Sequence, residues 1–237
     1  MPHDPQPTEA EQEYLETIFW LEEAGLPMTA ANVARAKQLS PPTVHEMIRR
    51  LEKDGFISRS ADKTISFTES GEAHAAAQVR RHRLIERFLT DVLGIPWDEV
   101  HEEAERMEHA MSPVLEERML AAIGDAKTCP HGHPISVGTR IEGVPLADVE
   151  VGATVEIVRF ENEAEDLLHY LKHQGLEPGL KGTVTERGDE IVVEHADGRY
   201  SVTASVAETV SVVADPSPPP RVALPASLVL GDGRYGR

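Results

Sequence analysis

The chain reads as a series of helices from residue 8 to about residue 123, interrupted by one hairpin, and changes character at Gly152 to short strands. In TEAEQEYLETIFWLEEA (8–24), Tyr14, Leu15, Ile18, Phe19 and Leu21 form one stripe at helical spacing. After Gly152 come ATVEIVRF, KGTVTER, EIVVEH, GRYSVT and ETVSVV, short runs separated by Gly and Asp-Gly turns, with a helical EAEDLLHYLKHQG among them. One chain cannot bury both patterns in a single layer. The prediction is a mainly α fold with a small β-barrel-like domain at the C-terminal end.

The helical part is punctuated closely enough to name a motif. Thr8 and Glu11 have the spacing of a capping box, and Gly25 and Pro27 close the first helix. Thr29 caps a short helix to about Lys37. In LSPP, Ser40 caps the next helix and two prolines stand at its start, where no backbone donor is lost. That helix runs to about Asp54, turns Val44, Met47, Ile48 and Leu51 inward, and stops at Gly55. FISRSADKTISFT then reads as two short strands around a polar turn. Two helices, a tight turn and a hairpin make a winged helix-turn-helix, whose second helix enters the major groove.

Charge supports that placement. The chain carries −18 overall, yet residues 28–90 hold 11 Lys and Arg against 7 Asp and Glu, a net of +4. A local basic field inside an acidic protein suits the phosphates of double-stranded DNA. Ser40, Pro42, Thr43, His45, Glu46 and Arg49 are the exposed candidates for base edges. Arg49, Arg50, Lys53, Arg59 and Lys63 are the candidates for phosphates. There is no run of about 18 apolar residues, no secretory leader pattern in MPHDPQPTEAEQEY, and one cysteine, Cys129. A cytoplasmic protein with no membrane partner and no internal disulfide is expected.

Farther on, residues 69–90 are helical, and residues 97–123 give one or two helices broken at Ser112-Pro113. Residues 124–150 are irregular and contain CPHGHPI, and the Pro- and Gly-rich segment after Asp215 is predicted to be disordered. The expected domains are 1–75 (DNA-binding), 76–150 (metal-binding and dimerisation helices with a linker), 151–214 (β domain) and 215–237 (tail).

HEEAERMEHAM (101–111) asks for a chemical reason. On a helix, Glu105, Glu108 and His109 share a side; so do His82 and Glu86, and Glu13 and Glu16. Any one such pair is usually a solvated face. Several on helices that pack together repel unless a divalent cation neutralises them, and binding of that cation then stabilises the fold. Glu and His donors suit Mn²⁺, with Fe²⁺, Co²⁺ and Zn²⁺ as alternatives. No H-E-x-x-H, G-x-S-x-G or phosphate loop is present, so an enzyme is not expected. A winged-helix regulator of a small organic ligand is the other alternative.

YLETIFWLEE, SPPTVHEMIRRLEKDGFI, FTESGEAHA, RRHRLIERFL, EAERMEHAMS and CPHGHPI, in that order, resemble the diphtheria toxin repressor family of metal-dependent transcriptional repressors. The likeness covers residues 8 to about 136, and residues 152 to about 213 are similar to the family's SH3-like, FeoA-like domain. Iron-type members carry cysteine where this chain has Glu105 and methionine where it has Glu13; carboxylates at both resemble the manganese transport regulators. The resemblance implies a primary metal set of Glu13, Glu16, His82, Glu105, Glu108 and His109. It implies a secondary set of Glu86, Cys129, His131 and an acid from the β domain, assigned to Glu163 with Glu161 and Asp166 competing. His101 matches a ligand of the iron-type ancillary site, and His133 reads as a loop residue. It further implies a homodimer that binds operator DNA and represses metal-uptake genes in response to Mn²⁺, or to iron in the alternative.

Overall fold

The computed structural model describes residues 6–136, 138 and 142–216; the expected tail beyond Pro216 lies outside them. The chain divides into two compact units, one up to Arg81 and one from His82.

The first unit opens with α1 (Glu9–Glu23), α2 (Ala30–Ala36) and α3 (Pro41–Lys53). The capping box forms: Thr8 N and Oγ1 both donate to Glu11 Oε2, at 2.8 and 2.7 Å. Ser40 caps α3, with Pro41 and Pro42 in its first turn. Val44, Ile48 and Leu51 of α3 are buried together with Leu15 and Ile18 of α1. Met47, expected inside, is half-buried. The wing is β1 (Ile57–Arg59) against β2 (Ile65–Phe67), antiparallel, with Ile57 opposite Phe67. α4 (Glu69–Asp91) follows. A Cβ on Gly71 would lie 1.8 Å from the Phe56 carbonyl oxygen, so only glycine lets the first turn of α4 sit against the backbone that leads into β1.

The second unit holds the remainder of α4, α5 (Val100–Glu108) and α6 (Pro113–Ala122), capped by Ser112. Leu84, Ile85, Leu89, Val100, Ala104, Met119, Ile123 and Ile135 form their core. The β domain is built from β3 (Val144–Pro145), β4 (Thr154–Phe160), β5 (Lys181–Arg187), β6 (Glu190–His195), β7 (Gly198–Thr203) and β8 (Val210–Asp215). α7 (Glu165–His173) and the short α8 (Ala204–Ala207) complete it. The sheet order is β3-β8-β4-β5-β6-β7, with all pairs antiparallel. Its core includes Phe160, Leu167, Leu168, Leu171 and Val212. The sheet begins earlier than the boundary expected at residue 151. β3 pairs with β8, and Leu146 and Val149 are buried in the β-domain core. Two paired residues are too short a run to show a period of two. Among the described residues no helix is long and apolar enough to cross a membrane.

Candidate metal centre

α4 sends His82 and Glu86, one turn apart, into the interior of the second unit, where they are 1% and 0% exposed. Around Glu86 converge His101 from α5, Cys129 and His131 from the irregular segment, and Glu163 from the loop after β4. Glu86 Oε1 lies 3.1 Å from His82 Nε2, 3.2 Å from His101 Nδ1 and 3.3 Å from His131 Nδ1. Glu163 reaches His101 Nδ1 at 3.5 Å and His131 Nδ1 at 3.6 Å. Cys129 Sγ stands 4.0 Å from His131 Nδ1. Potential ligand atoms of His82, Glu86, His101 and Glu163 all fall within 4.8 Å of one another, and so do those of Glu86, Cys129 and His131. The two groups share Glu86.

Of the three acids that compete in the sequence, Glu163 is the one beside the imidazoles. Glu161 accepts from Arg159 Nε at 2.8 Å and from Ser211 Oγ, and Asp166 is exposed on α7. Ala164 N donates to Asn162 Oδ1 at 2.9 Å, which shapes the turn carrying Glu163.

The supporting residues escaped the sequence reading. Arg83 donates to the Pro134 carbonyl at 2.9 Å; Arg87 donates to the carbonyls of Thr128 at 2.7 Å and Cys129 at 2.9 Å. These two arginines pin the Cys-Pro-His-Gly-His segment to α4. His131 Nε2 donates to the Trp97 carbonyl at 2.7 Å, which aims Nδ1 at the carboxylates. His133 is a loop residue as expected, and it is buried: its Nε2 donates to the Phe160 carbonyl at 2.9 Å and lies 3.1 Å from Glu163 Oε1. It therefore positions Glu163. The available signal was the i, i+4 spacing of Arg83 and Arg87, one residue beyond His82 and Glu86.

The donor chemistry fits a divalent cation. Glu86 Oε2 is buried with no hydrogen-bond partner among the described residues, a costly condition that an ion relieves. Burial opposes charge on Glu86, but the His131 and His82 imidazoles outweigh it and hold the carboxyl well below its ordinary 4.5. Burial likewise opposes charge on His131, yet Glu86 and Glu163 lift it well above 6.5. Burial, then the Glu86 charge, raises the Cys129 thiol. In the metal-free protein a proton on His131 thus does part of the neutralising that a cation would do.

The signs follow. Glu86, depressed, stabilises the metal-free fold above about pH 4.5, and that contribution is lost as pH falls through its folded value. His131, raised, stabilises below about pH 6.5, and its contribution is lost as pH rises through its folded value. An ion held by Glu86, Cys129 and His131 would have to displace the imidazolium and thiol protons. Mn²⁺ affinity is therefore expected to climb between about pH 6 and about pH 8, with proton release seen as a buffer-dependent calorimetric enthalpy. A binding enthalpy identical in all buffers, with a flat affinity, would contradict this arrangement.

A second face of the same region carries Glu108, His109 and Glu105. Glu108 is 1% exposed; its Oε2 lies 2.7 Å from His82 Nδ1 and its Oε1 3.5 Å from His109 Nε2. Glu105 is exposed, 3.8 Å from His101 Nε2. Glu13 and Glu16 belong to the first unit: Glu16 is buried on α1, and Glu13 is exposed with Lys37 Nζ at 3.3 Å. A further cluster of Asp98, Glu99 and His169 already has the Lys172 ammonium on Asp98.

On the first unit, Ser40, Pro42, Thr43, His45, Glu46, Arg49 and Lys53 are exposed. Two residues expected at phosphates are engaged elsewhere. Arg50 Nε lies 3.0 Å from Glu11 Oε1 and 3.8 Å from Asp54, and Arg59 pairs with Glu52.

A winged helix joined to a helical layer of buried imidazoles and carboxylates defines a metal-responsive DNA-binding regulator. Three family models match in succession: the iron dependent repressor N-terminal DNA binding domain over residues 7–65, the iron dependent repressor metal binding and dimerisation domain over 68–136, and the FeoA domain over 144–214. The iron-dependent repressor IdeR of Mycobacterium tuberculosis H37Rv is 37% identical over 187 residues, covering 72% of this chain and 81% of that protein. The diphtheria toxin repressor of Corynebacterium diphtheriae is 32% identical over 214 residues, covering 84% and 94%. Among solved structures, a manganese-dependent transcriptional repressor in complex with manganese is 30% identical with TM-score 0.77, covering 86% of this chain and 99% of that one. The manganese regulator SloR is 27% identical with TM-score 0.71, covering 88% and 99%. The chain belongs to the diphtheria toxin repressor family and is a metal-dependent transcriptional repressor, with a helix-turn-helix DNA-binding domain and no enzymatic role.

Proposed function

We propose that the chain is a manganese-responsive repressor that binds operator DNA as a homodimer and controls metal-uptake genes. The observation that carries the choice of metal is the carboxylate at both Glu13 and Glu105, where hard oxygen donors replace sulfur and favour Mn²⁺ over softer ions. The proposed primary ligands are Glu13, Glu16, His82, Glu105, Glu108 and His109; the proposed secondary ligands are Glu86, Cys129, His131 and Glu163. The ion supplies the positive charge that lets these carboxylates coexist. The protein's own part is to hold the donors on α1, α4 and α5 so that they converge only in the DNA-competent arrangement, a coupling of about 1–3 kcal/mol.

Exposed Val92, Leu93, Val114 and Leu115 support a dimer, since they lie in the segment matching the metal binding and dimerisation model. A symmetric dimer would present two α3 helices to half-sites about 34 Å apart. Ser40, Pro42, Thr43 and His45 would then face bases, with Arg49 and Lys53 at phosphates; Arg50 and Arg59 serve the fold first through their ion pairs.

The test is selection of random duplexes with the Mn²⁺-loaded full chain, followed by affinity measurements with Mn²⁺, Fe²⁺ and Zn²⁺. Mn²⁺ is expected to raise affinity for the selected duplex by about tenfold to about 100-fold, and chelation to remove the gain. Glu105→Cys is expected to move the preference toward Fe²⁺. Affinity indifferent to chelation, or an unchanged metal order in Glu105→Cys, would refute the manganese reading.

A further inference from the structure

His82 stands between two groups of metal donors. Its ring is 1% exposed and turns its two nitrogens to different sets: Nδ1 is 2.7 Å from Glu108 Oε2, while Nε2 is 3.1 Å from Glu86 Oε1 and 3.1 Å from His101 Nδ1. The His101 ring packs edge-on against it, centroids 4.7 Å apart at 63°. Resting on the metal-sensing reading above, we propose that His82 is a shared ligand whose two ring edges place the Glu108 set and the Glu86 set in competition for one lone pair.

A neutral imidazole has one N–H and one coordinating lone pair. An ion held with Glu86, His101 and Glu163 takes the lone pair at Nε2. The ring proton then resides on Nδ1, where it donates to Glu108. An ion held with Glu108 takes the lone pair at Nδ1, and the proton on Nε2 donates to Glu86. Each occupancy thereby offers the opposite set an N–H where it needs a ligand. The geometry makes the tautomer of one buried ring the means by which filling one set weakens the other. Removing even a group that only orients a ligand costs metal sites about 10–100-fold in affinity, so the loss of His82 to the competing set should cost at least about tenfold.

Equilibrium binding of Mn²⁺ to the full chain, followed by the paramagnetic resonance signal of free Mn²⁺, tests this with single and double variants. Glu86→Gln leaves the Glu108 set and Glu108→Gln leaves the Glu86 set. In the unsubstituted protein the second ion is expected to bind at least about tenfold more weakly than the same set binds in its single-set variant. Measured against its own double variants, His82→Gln with Glu86→Gln and His82→Gln with Glu108→Gln, the His82→Gln protein should show that gap shrunk below about threefold, whereas simple repulsion between two ions would survive the substitution. A gap that persists in His82→Gln, or none in the unsubstituted protein, overturns the proposal. Saturable Mn²⁺ binding in the single-set variants with no such gap sinks the sharing alone; no Mn²⁺ binding by any form sinks the metal-sensing reading as well. Nitrogen resonances of ¹⁵N-histidine protein loaded with Zn²⁺ give a second readout that leaves His82 in place. The protonated and metal-bound His82 nitrogens should exchange places between Glu86→Gln and Glu108→Gln. The same assignment in both variants overturns the proposal.

Discussion

Replacing Glu86 by leucine is expected to destabilise the metal-free protein by about 3–5 kcal/mol in denaturant unfolding at neutral pH. Glu86 is fully buried, and its Oε1 faces the nitrogens of His82, His101 and His131 at 3.1–3.3 Å. Leucine matches its bulk but leaves buried imidazoles without the carboxylate that balances them, and His131 loses the nearer of the two carboxylates, Glu86 and Glu163, that hold its proton. Removing one member of a buried ionic cluster is costly because the survivors stay desolvated. The same substitution should cut the gain in stability from Mn²⁺. An ion at 100 times its dissociation constant adds about 2.7 kcal/mol per site to the unsubstituted protein, and the Glu86-dependent share should vanish. A leucine variant as stable as the parent, with an undiminished response to Mn²⁺, would show that the cluster is solvated charge and not a built site.

Gly132→Ala is expected to separate the thiol and imidazole donors from the rest of the centre. Gly132 has φ +97°, and a Cβ there would lie 1.9 Å from the Val158 carbonyl oxygen. The first condition strains an L-residue by about 1–3 kcal/mol, and the second forbids the present approach of the segment to β4. That approach is fixed by backbone: Phe160 N donates to the His131 carbonyl at 3.0 Å, and Cys129 N to the His133 carbonyl at 2.8 Å. The alanine variant should lose stability by about 1–3 kcal/mol or more and lose the thiolate-to-metal absorption when loaded with Co²⁺. Retention of that absorption would mean the Cys-x-His segment holds its place without the glycine.

Much of the fold was legible because local chemistry specifies it. Ser40 with two following prolines, Thr8 with Glu11, and Gly55 after α3 set helix ends through backbone groups within a few residues. The strands of the β domain were marked by short runs between Gly and Asp-Gly turns, except β3, whose two residues are too few to stand out and pair only because β8 lies alongside. The charge of Arg50 and Arg59 was visible, but not that Glu11 and Glu52 already hold them, since partners 39 and 7 residues away have no signature in spacing.

The candidate site shows the same division. The amino-acid sequence by itself determined the kinds of donor available: carboxylates at Glu13 and Glu105 in place of sulfur, the His82–Glu86 turn of α4, and a Cys-x-His segment near residue 130. Periodicity places a side chain on a face of its own element, which is why those pairs could be found. Only the tertiary structure decided which faces meet. It put Glu163 and not Glu161 beside the imidazoles because Arg159 and Ser211 hold Glu161. It buried His133 against the Phe160 carbonyl, and it gave the two nitrogens of His82 to different carboxylates. Those choices join residues up to about 80 positions apart, where packing sets distance and spacing along the chain carries no information about it.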